Sequence, residues 1–156
     1  MTDEDRDNAG VIAPPPLIYL GPLLLGLLFN RKLQVPFLPR GAARAIGWSL
    51  LAGGVSLMGW FEWAMRFAGT PTNPYKPVSN LATDGPFRYT RNPAYLSMAM
   101  IYAGVSSLAN ALSSILLLPA ALLVIQRGVI EREERYLERK FGEEYLRYKA
   151  RVRRWV

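Results

Sequence analysis

Apolar residues gather into long runs along this chain, and most charged ones fall in the intervals and at the two ends. The first run, LIYLGPLLLGLLF, follows a triple Pro, and Pro suits a first helical turn. The second extends from Ile46 to Phe67 and carries Gly47, Gly53, Gly54 and Gly59, small residues that let membrane helices approach closely. From Tyr95 to Ile130 the chain is apolar again. One helix over that stretch would measure more than ~50 Å, against a hydrocarbon core of ~30 Å, so a hairpin is expected. Its weakest point is SSLANALSS, with a turn near Asn110, and Pro119 kinks or tilts the helix that follows.

This pattern predicts an all-α integral membrane protein, with four transmembrane helices and a C-terminal cytoplasmic helical extension. The spans fall at about 14–30, 46–67, 93–109 and 111–130. A polar, Pro-rich loop covers 68–92, and helices cover 131–153. Residues 13–156 form a single domain behind a disordered acidic tail at 1–12, which lacks the basic start of a cleavable signal. Four spans put the N-terminus, the 68–92 loop and the C-terminal segment on one side. That side carries most Lys and Arg, so it is expected to face the cytoplasm from the cell (inner) membrane. The opposing 30–45 loop runs against this rule, carrying Arg31, Lys32, Arg40 and Arg44 with no acid.

Composition narrows the chemistry. The chain has no Cys and no His, which excludes disulfides, thiolate nucleophiles, imidazole bases and Cys/His metal sites, and no metal is expected. The net charge of +7 fits anchoring against anionic lipid rather than nucleic-acid binding. Trp60, Trp63 and Phe67 read as an interfacial belt or as the walls of a substrate tunnel. Glycine-rich packing in the second helix can also support a homodimer.

Two polar segments carry the candidate chemistry. In IEREERYLERKFGEEYLRYKARVRRWV, helical spacing puts Glu134 on one stripe with Ile130, Leu137 and Phe141, and Glu133 flanks it. A carboxylate there is costly unless it is paired or binds something. Either it forms an ion pair with Arg91 or Arg88, or it contacts a ligand or accepts a proton. Gly142 should end this helix, and a second one turns Tyr145, Tyr148 and Val152 inward. The other segment is GPFRYTRNPAYL. Gly85-Pro86 makes a turn, Asn92 caps the third helix and Pro93 takes its first position. Tyr89 and Tyr95 suit an aromatic belt, and Arg88 and Arg91 suit phosphates. The long loop before them is of a kind that closes over ligands.

These residues, TDGPFRYTRNPAYL before an apolar hairpin and EREERYLERKFGEEYLRYKARVRRW after it, resemble the isoprenylcysteine carboxyl methyltransferase family. This is the wider group that includes phospholipid N-methyltransferases, and the resemblance covers about Asn73 to Trp155. It implies an enzyme that takes S-adenosylmethionine as methyl donor in a pocket at the cytoplasmic surface. The acceptor would be a membrane lipid or a lipidated small molecule, either a prenylcysteine-like carboxylate or a phospholipid amine. Carried over to this chain, the resemblance assigns Tyr89, Asn92, Pro93, Tyr95, Leu96, Glu133, Glu134, Tyr145 and Tyr148 to the cofactor. Arg91 and Glu134 become the candidate catalytic pair, one orienting the acceptor and the other holding the cofactor's cationic groups or taking a proton. Many members have His where this chain has Asn92, and Gly where it has Ser97. A related hairpin and turn occur in membrane steroid-type reductases, which use a nicotinamide cofactor. A non-catalytic membrane scaffold is the other alternative.

Overall fold

The structure is a computed structural model and describes residues 7–156. Among these residues every regular element is helical and there is no strand. Helix α1 spans Pro15–Leu33, α2 Arg40–Phe67, α3 Pro93–Leu108 and α4 Leu112–Ile125. A π-helical turn, Gln126–Ile130, joins α4 without a break to α5, Glu131–Phe141, and α6 follows at Glu143–Arg151. The expected turn lies at Asn110, whose φ of 47° is left-handed. Gly142, with φ of 51°, separates α5 from α6 as expected.

One helix, the continuous run Leu112–Phe141, is long and apolar enough to cross a membrane. The other three fall short of that measure. Helix α1 ends on Asn30, Arg31 and Lys32, α2 is diluted by Gly, Ala and Ser, and α3 has only 16 residues. Large apolar side chains are nevertheless exposed along α1, α2 and α4, among them Leu17, Leu24, Leu28, Trp48, Val55, Leu116 and Leu123.

Helix α3 lies against α1, α2 and α4. Its contact with α2 depends on glycine. A Cβ added at Gly104 would sit 2.8 Å from the Leu51 amide nitrogen, and one at Gly54 would sit 2.9 Å from the Ser97 carbonyl oxygen. Two of the α2 small residues, Gly47 and Gly54, are thus used inside the chain, while Gly59 faces open space. Polar side chains tie the rest together: Tyr102 Oη donates to the Ser114 carbonyl at 2.8 Å, and Ser113 Oγ donates to that of Gly26 at 2.6 Å.

The acidic tail expected over 1–12 differs from what the described part of it does. Residues 1–6 lie outside the described residues. Over 7–12 the chain is pinned to the π-turn, α5 and the helix end beyond it. Ile12 N–H donates to the Gly128 carbonyl at 3.3 Å, Arg132 Nη1 to the Gly10 carbonyl at 2.9 Å, and Val11 is buried. Lys140 Nζ and Tyr136 Oη both donate to Asp7 Oδ1, at 2.7 and 2.8 Å. Asp7 is acidic, but it meets a lysine and a phenol here, and Val11 buries its apolar surface.

Candidate active site

At the end of the bundle that holds Gly142, α2, α3, α5, α6 and the 68–92 loop enclose a cavity of about 330 Å³. That size lies in the range of small-molecule sites, ~300–1,000 Å³. The loop is irregular but held. Asn80 Nδ2 donates to the Ala68 carbonyl at 2.8 Å, Ser79 N–H to Thr70 Oγ1 at 3.1 Å, and Val78 N–H to Tyr136 Oη at 3.2 Å. Its Pro-rich part, Thr70 to Pro74, forms one wall, and Ala9, Pro15 and Pro16 form another.

The floor is made where the Thr90–Asn92 turn runs beside the C-terminal segment. Arg91 N–H donates to the Arg153 carbonyl at 3.0 Å. Thr90 Oγ1 and Asn92 Nδ2 both donate to the Arg154 carbonyl, at 3.1 and 2.9 Å. Asn92 therefore stands at the N-cap position, as expected, but its side chain makes no cap bond. The amide is used to clasp the C-terminal segment instead, a role that needs a donor rather than a titratable ring.

Glu134 is 6% exposed and lies between two guanidinium groups. Arg154 approaches it bidentately, Nε to Oε1 at 3.0 Å and Nη2 to Oε2 at 2.8 Å. Arg91 Nη2 stands 3.1 Å from Oε1. Of the two sequence readings for Glu134, the structure contains the ion pair, with Arg91 as partner; Arg88 instead faces Asp84 at 3.7 Å on the surface. The sequence reading missed Arg154, one of three arginines in the RVRRW stretch. With its oxygens engaged, Glu134 holds Arg91 in place. The Arg91 side chain is only 9% exposed, and its buried Nε and Nη1 find no acceptor among the described residues. Unanswered guanidinium donors in a cavity wall are costly unless an acceptor joins them.

Glu133 has the opposite situation. It lines the cavity, accepts a 2.6 Å hydrogen bond from Tyr95 Oη, and forms no ion pair among the described residues. It lies beyond the apolar stretch of its helix, which ends at Ile130. Burial pushes its carboxyl up to about 7; the Tyr95 bond pulls it down and the Glu134 charge adds to the rise. Tyr145 and Tyr148 line the same wall with ring centroids 6.1 Å apart, and burial raises both phenols above the ordinary tyrosine range. Tyr148 Oη donates to the Phe87 carbonyl at 2.8 Å, tying α6 to the turn after Gly85. Pro93 and Tyr95 also line the cavity.

Several expected residues lie elsewhere. Tyr89 is 68% exposed and packs on Trp60, outside the cavity. Leu96 faces away from it, a third of a turn from Tyr95 on the same helix. Ser97 does not narrow the cavity: it is buried in α3, donating to the Ala94 carbonyl at 2.9 Å. The tunnel expectation is corrected most clearly. Trp60, Trp63 and Phe67 are 42%, 58% and 77% exposed, and the last two stack on each other at 5.5 Å. The α2 stripe that lines the cavity is Met58, Phe61, Glu62 and Met65. These recur at i, i+3, i+4 and i+7, so the aromatic stripe must look outward. Glu62 was legible as an isolated charge in an apolar run. It forms no ion pair among the described residues.

No solved structure matches the chain. A protein of Haemophilus influenzae, described only as uncharacterized, is 63% identical over 35 residues, 22% of this chain and 56% of that protein. The chain spans about half the length of this curated relative. The phospholipid methyltransferase family matches residues 42–144, about two thirds of the chain. The match takes in α2 with Glu62, the cavity loop, Arg91 to Tyr95 and both glutamates of α5, and stops just before Tyr145, Tyr148 and Arg154. On that match the chain belongs to the phospholipid methyltransferase family.

Proposed function

We propose that this protein is a multi-pass membrane methyltransferase that uses S-adenosylmethionine and methylates the amine of a lipid. The observation that carries the reading is Arg91, whose buried Nε and Nη1 are unanswered, in the lining of the same cavity as Glu133, a carboxylate without an ion pair among the described residues. An amino-acid group on a sulfonium donor has a carboxylate that Arg91 can chelate and an ammonium that Glu133 can receive. When bound, the cofactor supplies a methyl group already activated on sulfur, so neither Cys, His nor metal is needed. The chain's part is to align the reacting groups and keep water out. The lid formed by 70–82 and residues 7–12 suits the second task.

Glu62 favours an amine over a carboxylate acceptor. It contributes a second unpaired carboxylate from a wall otherwise built of Met58, Phe61 and Met65. A cationic headgroup is attracted there, and the carboxylate can take the proton that the amine must lose before it attacks. An acceptor carboxylate would be repelled. Exposed apolar side chains on α1, α2 and α4 support four spans, with tails reaching the cavity from the lipid. The Lys and Arg majority at the cavity end supports a cytoplasmic orientation.

Calorimetric titration with S-adenosylmethionine tests the reading. Arg91→Gln is expected to lower affinity by at least tenfold; equal affinity for the two proteins would refute it. Incubation of lipid extracts with methyl-labelled cofactor then identifies the acceptor by mass spectrometry, and label in a carboxyl ester rather than an amine would overturn the role given to Glu62.

A further inference from the structure

A second hollow, of about 400 Å³, lies at the opposite end of the bundle, where the α1–α2 connection meets the α3–α4 turn. Arg40 and Arg44 line it, one turn apart on α2, and Arg31 and Lys32 stand nearby at the end of α1. None of these four cations has an ion pair among the described residues. Every described carboxylate lies at residue 7, 62 or 84 or within 131–144, toward the other end. Like charges at i,i+4 repel, so Arg40 and Arg44 disfavour this arrangement unless an anion bridges them.

The rim is prearranged. Asn110 Oδ1 accepts from the amides of Phe37 and Leu38 at 3.0 and 3.1 Å, and its Nδ2 donates to the Leu38 carbonyl at 2.8 Å. One side chain thus fixes the connection against the hairpin turn. On the elements that form the hollow, Leu33, Val35 and Trp48 are exposed next to its lining residues in sequence or one turn away. Trp48 follows Arg44 by one turn, so cation and indole share a face.

We propose that this hollow binds the phosphate of an anionic membrane phospholipid, with Arg40 and Arg44 on the headgroup and the exposed apolar residues against the acyl chains. Guanidinium pairs suit phosphate oxygens. The apolar surroundings select a lipid over a free phosphate, because a soluble anion would gain nothing from Leu33, Val35 and Trp48. The inference rests on the multi-pass membrane reading and is independent of the methyl-transfer reading.

Native mass spectrometry of the detergent-solubilised protein with phosphatidylglycerol or phosphatidylcholine tests it. The expected result is a 1:1 adduct with phosphatidylglycerol that outlasts the phosphatidylcholine adduct. At ~5-fold per cation near an anionic surface, the Arg40→Gln/Arg44→Gln variant should weaken retention roughly 30-fold. The Arg135→Gln/Arg139→Gln variant, which removes the same charge at the other end, should retain the lipid. Equal weakening in both variants would refute a specific site. Displacement of the lipid by millimolar glycerol phosphate would overturn the lipid assignment in favour of a soluble anion. Circular dichroism confirms that each variant is folded. The readout involves no turnover, so an inactive cavity leaves it unchanged.

Discussion

Replacing Glu134 by Gln separates two roles that a glutamate in this cavity can have. In the structure Glu134 does not face the ligand space alone; it is gripped by Arg154 through two bonds and by Arg91 through a third contact. Removing one partner of a buried pair typically costs ~3–5 kcal/mol, because the remaining charge is left uncompensated. Arg154 is partly exposed and can turn to water, so about 2–3 kcal/mol is expected, mostly from the stranded Arg91. At ~2–4 °C per kcal/mol for a chain of this size, the thermal midpoint in detergent should fall by about 5–10 °C. Cofactor affinity should fall as well, because Arg91 loses its anchor. The double variant Arg91→Met/Glu134→Met no longer buries an unpaired charge and should regain much of the lost midpoint. A Glu134→Gln protein that melts within 2 °C of the parent yet loses cofactor binding would refute this reasoning and make Glu134 a direct ligand contact.

Glu133 should show itself through pH. Its folded value of about 7 lies above the model-peptide value near 4.5, so its contribution to stability is present below pH 4.5 and is lost as pH rises through about 7. A cationic ligand selects the ionised form, so cofactor affinity should climb over that same window, and Glu133→Gln should flatten both profiles in calorimetry and thermal melts. Asn92→Ala removes the clasp on the Arg154 carbonyl and should cost about 1 kcal/mol, read as a midpoint lower by ~2–4 °C. Gly104→Ala places a methyl against the α2 backbone, which cannot yield as a side chain can, and should cost ~1–3 kcal/mol by the same melt. Trp63→Leu should leave the acceptor KM unchanged, whereas Met58→Trp, on the cavity stripe, should raise it.

The helices were legible because their signals are local. The triple Pro, the Asn-Pro before α3, the turn at Asn110 and Gly142 each fix a boundary through their own backbone preferences. The site was legible only in part. Glu134 stood out as a charge on an apolar stripe, but its partner Arg154 is 20 residues away around the Gly142 corner, and no periodicity reports that return. The face of α2 stayed open between belt and tunnel for a related reason. Aromatic rings suit both a membrane interface and a cavity wall, and only the packing of Gly47 and Gly54 onto α3 decides which stripe points inward. Asn92 was read as a cap from its position, yet the nearby carbonyl of Arg154 captured its amide.

The π-turn at Gln126–Ile130 has a consequence for register. Such a turn inserts one residue into an otherwise regular helix, which advances the phase of everything after it by ~100°. Upstream, this helix shows Leu116 and Leu123 to the surroundings; downstream, it turns Glu133 and Glu134 toward the cavity. A single uninterrupted α-helix would carry both faces in one fixed phase. Deleting Arg127, a residue that lines neither hollow, should therefore swing the two carboxylates out of alignment with Arg91 while the apolar half stays seated. One inserted residue thus acts as the gearing between a helix half that exposes apolar side chains and a half that lines the cavity.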